Sequence, residues 1–428
     1  MEAEEEHMAQ TYSQQLLAAL QQHDFSQSNV LLKKAFASDD QATLEALANS
    51  LSDLGLTDLA AKTYRHLLKL DPDNDEVKVY LAEILLDDGQ DDAGLDLLYD
   101  LKPSSPAYLQ GLLVQADYYQ SCGLIETAKN KLEQARQLSP AEPAIIFGWA
   151  ELAYSSGDYQ TALPLYQQLL SKQKRVAEVS LIQRVIACLA KLGDYEQAAA
   201  LLKQHKENIV GIDAQYQAGL ILLQAKDYRG AVHYLDEVLR RAPDYVNAYP
   251  LLAEAYEADH DPDNALAAAR TGLTYNEYDE TLYSLGAKAA LELGEQAEAQ
   301  RLLQKGLKMA PDNQELKLQL SNLYLQTGQD EENIALLKHI PEDSREPQVY
   351  WNLGKSEFNQ DDLKSAQADL LLAYPSFKEQ PAFLRDLIRS LRATGQQTAL
   401  LEVLQKYLKL VPDDLEMQAL LDDLQTGA

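Results

Sequence analysis

The sequence predicts an all-α chain, a solenoid of about twelve helical hairpins closed by a C-terminal capping helix. Three observations predict it. Ala, Leu, Gln, Glu and Lys dominate, β-branched runs are scarce, and no alternating strand pattern occurs. Glycines recur at Gly55, Gly89, Gly123 and Gly157 in steps of 34, then at Gly193, Gly294 and Gly328. Two further residue types keep that phase. Pro72, Pro106, Pro140, Pro311 and Pro412 each follow a glycine by 17 residues, and Ala128, Ala162, Ala198, Ala231, Ala265 and Ala299 step by 33 to 36.

Each periodicity has its own cause. The glycine breaks the chain between two helices, where a positive φ is needed. The alanine is small because the second helix approaches the first closely there. The proline ends one hairpin and opens the next, since its ring is poorly tolerated inside a helix.

Taken in order, the units span 9–40, 41–74, 75–108, 109–142, 143–178, 179–211, 212–245, 246–279, 280–313, 314–346, 347–380 and 381–414. The first is weak: Phe25 fits the turn, but Ser28 replaces the small alanine and no proline closes it. The fifth takes extra residues near 171–178, where Lys172, Lys174 and Arg175 make a short basic loop. Pro164 and Pro250 fall near the starts of their helices, where the first N–H groups lack intrahelical partners. The tenth carries Asn333 where alanine is expected. The eleventh is the clearest, with Tyr350, Leu353 and Gly354 on its first helix and Ala366, Leu370 and Ala373 on its second, although Glu357 replaces an aromatic. Residues 415–428 form a capping helix and tail, with Met417, Leu420, Leu421 and Leu424 as its apolar stripe.

This pattern resembles the tetratricopeptide repeat (TPR) family, a 34-residue helix–turn–helix unit. The turn and second helix are visible in Gly157-Asp158-Tyr159 with Ala162, and in Gly193-Asp194-Tyr195 with Ala198. Lys226-Asp227-Tyr228 with Ala231 is the same with lysine for glycine. Tyr249, Leu252, Ala253 and Tyr256 carry the first-helix signature, and Ala310-Pro311-Asp312-Asn313 the closing one. The resemblance implies a right-handed α-α superhelix whose first helices line a concave groove. It implies a non-catalytic scaffold that holds a peptide or protein segment there. The long acidic array looks like cytoplasmic repeat proteins of Gram-positive bacteria. The alternative reading is a regulatory module sensing a small peptide ligand, although the DNA-binding domain such regulators usually carry is not seen.

The chain has 428 residues and a net charge of −30. That field repels nucleic acid and anionic membrane, so neither is an expected partner. The charge is uneven: residues 1–100 carry 6 Lys and Arg against 21 Asp and Glu, a net of −15, while residues 101–214 carry 11 of each. No apolar run reaches the length of a bilayer span. Residues 1–8 read as a disordered or cloning-derived leader, and the cytoplasm is the expected compartment. Cys122 and Cys188 read as small buried hydrophobes in a reducing environment.

No catalytic, cofactor or metal motif is complete in the sequence. Gly354-Lys355-Ser356 resembles the end of a phosphate-binding loop, but Val349 stands where its first glycine belongs. Asp71, Asp73 and Asp75 mimic a calcium loop, but Glu76 and Ala82 occupy its glycine and glutamate positions. Asp259, Asp261 and Asp263 fail likewise, at Asn264 and Arg270.

The outward faces of the first helices nominate partner-binding residues. Glu45, Asn49, Asp53, Glu83, Asp87, Asp117 and Gln120 form an acidic wall. Phe147, Glu151, Tyr154, Tyr216, Leu220 and Leu223 make an apolar, aromatic stretch. Trp351, Lys355, Phe358, Asn359, Arg385, Arg389 and Arg392 follow. The three arginines stand at i, i+4 and i+7 on one helix, and their repulsion would be relieved by a carboxylate-bearing partner, an acidic segment or C-terminus. The competing reading is a solvated face, or one paired within the chain.

Overall fold

The computed structural model describes residues 10–177 and 179–426. The leader read at 1–8 and the last two residues of the tail lie outside them. The chain divides into two compact units, Met1–Leu201 and Leu202–Ala428.

The first unit holds the hairpins α1 (Tyr12–Gln21) with α2 (Ser28–Ser38), α3 (Gln41–Asp53) with α4 (Thr57–Leu70), and α5 (Asp75–Asp87) with α6 (Asp91–Tyr99). Next come α7 (Tyr108–Ser121) with α8 (Ile125–Leu138) and α9 (Pro143–Ser155) with α10 (Tyr159–Leu170). Then α11 (Leu181–Lys191) leads into α12 (Tyr195–Gln204), within which the unit boundary falls. Between α10 and α11, β1 (Arg175–Val176) pairs antiparallel with β2 (Val179–Ser180). The sequence reading has only a loop here, because two-residue strands are too short to leave an alternating pattern.

The second unit continues with α13 (Ile212–Gln224) and α14 (Tyr228–Arg241), α15 (Ala248–Ala258) and α16 (Pro262–Tyr275), and α17 (Glu280–Glu292) and α18 (Gln296–Met309). It ends with α19 (Gln314–Thr327) and α20 (Asp330–Lys338), α21 (Pro347–Asn359) and α22 (Leu363–Phe377), α23 (Pro381–Ala393) and α24 (Gln397–Leu410), and the capping helix α25 (Leu415–Thr426).

Every hairpin turn contains one residue in the left-handed region. Eight are glycines, from Gly55 (φ +70°) to Gly395 (φ +70°). Four are not: His23, Lys226, His260 and Asp361, all near φ +60°. A Cβ added at Gly55 would meet nothing within 4 Å, so the glycine is required by backbone conformation and not by space.

The alanine periodicity has the opposite cause. Ala128, Ala162, Ala231, Ala265 and Ala299 are fully buried against the first helix of their own hairpins. Leu16, Leu44, Leu47, Leu51 and Leu67 fill the core of the first unit, and Phe383, Leu384, Leu387 and Leu404 that of the last hairpins. Each such side chain contributes roughly 1.5–3 kcal/mol by leaving water. Pro164 lies inside α10. Of the two cysteines, Cys188 is buried as expected, but Cys122 is exposed, because it caps α7 at the turn before Gly123.

Candidate functional site

The first helices α19, α21 and α23 lie side by side, so their outward residues form one face. Trp351 is not free on that face. Its ring packs against Phe377 and Phe383, with centroids 5.0 and 5.2 Å away, and its Nε1 donates to Asp386 Oδ2 at 2.9 Å. It therefore locks α21 to α23. Phe358, further along α21, is half-buried.

The three arginines separate into two roles. Arg385 donates to Asp414 Oδ2 at 2.6 Å, and the Tyr407 hydroxyl donates to the same oxygen at 2.7 Å. Asp414 Oδ1 in turn accepts from the Met417 N–H at the start of α25. Arg385 thus fastens the capping helix, the in-chain pairing that was the competing reading of the stripe. Arg389 and Arg392 are exposed and make no ion pair among the described residues. Like charges at i and i+3 repel by a few tenths of a kcal/mol, so these two are the unrelieved pair.

Lys355 lies one turn beyond Trp351, and the two line a cavity of about 310 Å³ with Asn322, Gln326, Gln348 and Asn352. Four amide side chains and an ammonium are a donor and acceptor set suited to peptide groups and a carboxylate. Asn352 is oriented from behind: it donates to Ser321 Oγ and Asn322 Oδ1, both at 2.9 Å, and accepts from Gln348. Gly354 and Ser356 serve packing. A Cβ on Gly354 would sit 2.6 Å from Leu370 Cγ, and buried Ser356 accepts from Asn333 at 2.8 Å.

Behind this face lies a polar interior that only the deviations from the repeat pattern announce. Asn333, at the small-residue position of α20, is fully buried. Glu357, at the missing aromatic, is 1% exposed, with Lys338 Nζ 2.9 Å from its Oε1. Burial and the Glu357 charge push the Asp369 carboxyl up to about 7.

The aromatic candidates elsewhere pack against neighbouring rings. Phe147 packs edge-on against Tyr166 at 6.3 Å. Tyr154 packs edge-on against Tyr159 and Tyr166, beneath the Arg184 guanidinium 5.0 Å above its ring. Arg184 also clasps both oxygens of Glu151 at 2.8 Å. Tyr216 lies against Tyr245 at 5.1 Å. All three candidates are half-buried, and Leu223 is 4% exposed, turned into the core instead of outward. In the acidic wall, burial and the Asp87 charge hold the Glu83 and Asp117 carboxyls above the usual range.

Among the described residues, no group of three His, Cys, Asp or Glu is placed to hold a metal ion. Among them, no helix is long and apolar enough to cross a membrane.

Several repeat families match. Residues 347–414 match YpiA-like, C-terminal tetratricopeptide repeats, and residues 120–174 match YpiA-like tetratricopeptide repeats. General tetratricopeptide repeats match 45–108, 216–275 and 290–355. Residues 155–238 match the family of anaphase-promoting complex, cyclosome, subunit 3. The TPR repeat-containing protein YpiA of Bacillus subtilis (strain 168) is 28% identical over 340 residues, 79% of this chain and 80% of that one. Two solved structures resemble the chain more loosely. The Cut9–Hcn1 complex of the APC/C is 13% identical over 96% of this chain and 83% of its own, with a TM-score of 0.38. YrrB, described as a TPR protein with an unusual peptide-binding site, is 14% identical over 43% of this chain and 96% of its own, with a TM-score of 0.39.

Proposed function

Because this chain belongs to the tetratricopeptide repeat family, we propose that it is a non-catalytic interaction scaffold holding an acidic protein segment against α19, α21 and α23. The observation that carries this reading is the pair Arg389 and Arg392, exposed and unpaired among the described residues while Arg385 beside them is neutralised by Asp414. Carboxylates of the segment pair with Arg389 and Arg392, and its backbone or terminal carboxylate meets Lys355 and the amides of the adjoining cavity. Arg385 acts indirectly, by fixing the capping helix in place, while Trp351 both ties α21 to α23 and lines the cavity.

The test compares affinity captures from the source cells by the parent and by an Arg389→Ser, Arg392→Ser, Lys355→Ser variant, identified by mass spectrometry. Arg385 is left intact, so that a loss reports binding and not fraying of α25. Proteins with acidic segments should drop out of the variant's capture with helicity unchanged. Recovery of the same set by both would sink the proposal.

A further inference from the structure

A second charged feature lies on the other row of helices. Four of the six Lys and Arg residues among the first hundred, Lys33, Lys62, Arg65 and Lys69, line one groove between α2 and α4. The groove encloses about 390 Å³. Its floor is apolar and flat: Leu32 is buried, and the rings of Phe36 and His66 stack at 4.2 Å with 6° between their planes. The four cations are exposed, and none makes an ion pair among the described residues; Arg65 reaches only the Gln90 amide, at 3.5 Å. His66 Nε2 is buried without a hydrogen-bond partner.

The placement follows from helical periodicity. Positions 62, 65, 66 and 69 form one i, i+3, i+4, i+7 stripe on α4, and 32, 33 and 36 face it from α2. Elsewhere these hundred residues are strongly acidic, at 21 Asp and Glu. Burying no counter-charge under four clustered cations leaves their repulsion uncompensated within the chain.

From this we infer a second binding site, for a short amphipathic acidic segment of a partner protein. Lys62 and Lys69 are seven residues apart, so the cationic row runs about 10 Å along α4. One small anion cannot meet both ends, whereas carboxylates spaced along a helix can. A polyphosphate would reach both but leave the Leu32, Phe36 and His66 floor in water; an apolar side chain between the carboxylates covers it. A long polyanion is repelled by the net charge of −30. This site is independent of the Arg389 and Arg392 face, on different helices of a different unit.

The probe is a fluorescein-labelled helical peptide of about 16 residues, with Leu on one stripe and Glu flanking it, beside a twin with Gln for every Glu. Anisotropy is measured on the full chain carrying Arg389→Ser, Arg392→Ser and Lys355→Ser, which removes the other site. The acidic peptide should bind, the twin should bind at least about tenfold more weakly, and added salt should weaken the first far more than the second. Lys62→Glu, Arg65→Glu and Lys69→Glu together should abolish binding. The Gln versions of the three should weaken it about tenfold, and they serve if charge reversal disturbs folding. Equal binding of the twin, binding that survives these substitutions, or binding of tripolyphosphate in place of the peptide would each overturn the assignment.

Discussion

Asp369→Asn probes the polar interior behind the α21 face. In the unfolded chain the Asp369 carboxyl titrates near 3.8. In the folded chain it is pushed up to about 7, first by burial, then by the Glu357 charge and a hydrogen bond shared with Glu357. Arg345 and Lys338 pull the other way without cancelling this. Between the two values the folded protein keeps a proton that the unfolded chain has released. Stability therefore falls as pH rises from about 4 to 7, and the loss is complete above 7. Three pH units at about 1.4 kcal/mol each set a ceiling near 4 kcal/mol. Asp369 is only half-buried, and solvent screening reduces the expected loss to roughly 1–2 kcal/mol.

The Asn amide can donate to Glu357 as the protonated acid does, but it does not titrate. Urea unfolding should show the parent losing roughly 1–2 kcal/mol more than Asp369→Asn between about pH 4 and pH 8, so that the variant is the more stable at the higher pH. Repeat arrays need not unfold in one step, so hydrogen exchange in residues 347–377 is measured alongside. The same pH slope in both proteins, or a variant weaker than the parent at pH 8, would refute the reasoning.

Gly354→Ala should cost about 1–3 kcal/mol in the same unfolding assay, because its Cβ would lie 2.6 Å from Leu370 Cγ within the packed hairpin. Lys226→Gly and Asp361→Gly should each stabilise by up to about 1 kcal/mol, since both residues sit at φ +60° in turns that elsewhere use glycine. Glu151→Ala should destabilise by roughly 2 kcal/mol in thermal unfolding, since it strips Arg184 of its bidentate partner and the Tyr166 hydroxyl of its acceptor. Arg385→Ala should speed hydrogen exchange in α25, whereas Arg389→Ser should leave it unchanged, because only the first reaches Asp414.

The hairpins were readable because a repeat writes each requirement many times. One left-handed turn residue, one close-approach position and one terminating proline recur until chance is excluded. Side-chain pairing between hairpins leaves no such trace. Trp351 reads as a groove residue from its helical phase alone; that Phe377 and Phe383 also pack against it depends on how α22 and α23 pack. Arg385 and Arg389 are equivalent in sequence until Asp414 arrives from the turn before α25. The stripe of Lys62, Arg65 and Lys69 is plain in the sequence, but that Lys33 and Phe36 close a groove with it depends on how α2 packs against α4.

A repeat makes hairpins interchangeable, so whatever is particular to this chain must lie where they differ. The two deviations at Asn333 and Glu357 fall in adjacent hairpins and share a neighbourhood. Asn333 donates to Ser356, and Glu357 follows it in the chain, facing Lys338 and Asp369. Neither residue improves packing; an alanine and an aromatic ring would fill those places without burying polar atoms that need partners. What they add is register. The Asn333 bond to Ser356 and the Lys338–Glu357 ion pair both tie α20 to α21, and sliding one helix along the other breaks them, a penalty that an apolar seam does not impose. The outward consequence is that Lys355 and the amides of the α19–α21 cavity sit on helices held in one alignment, the condition for recognising a carboxylate by geometry instead of by charge alone.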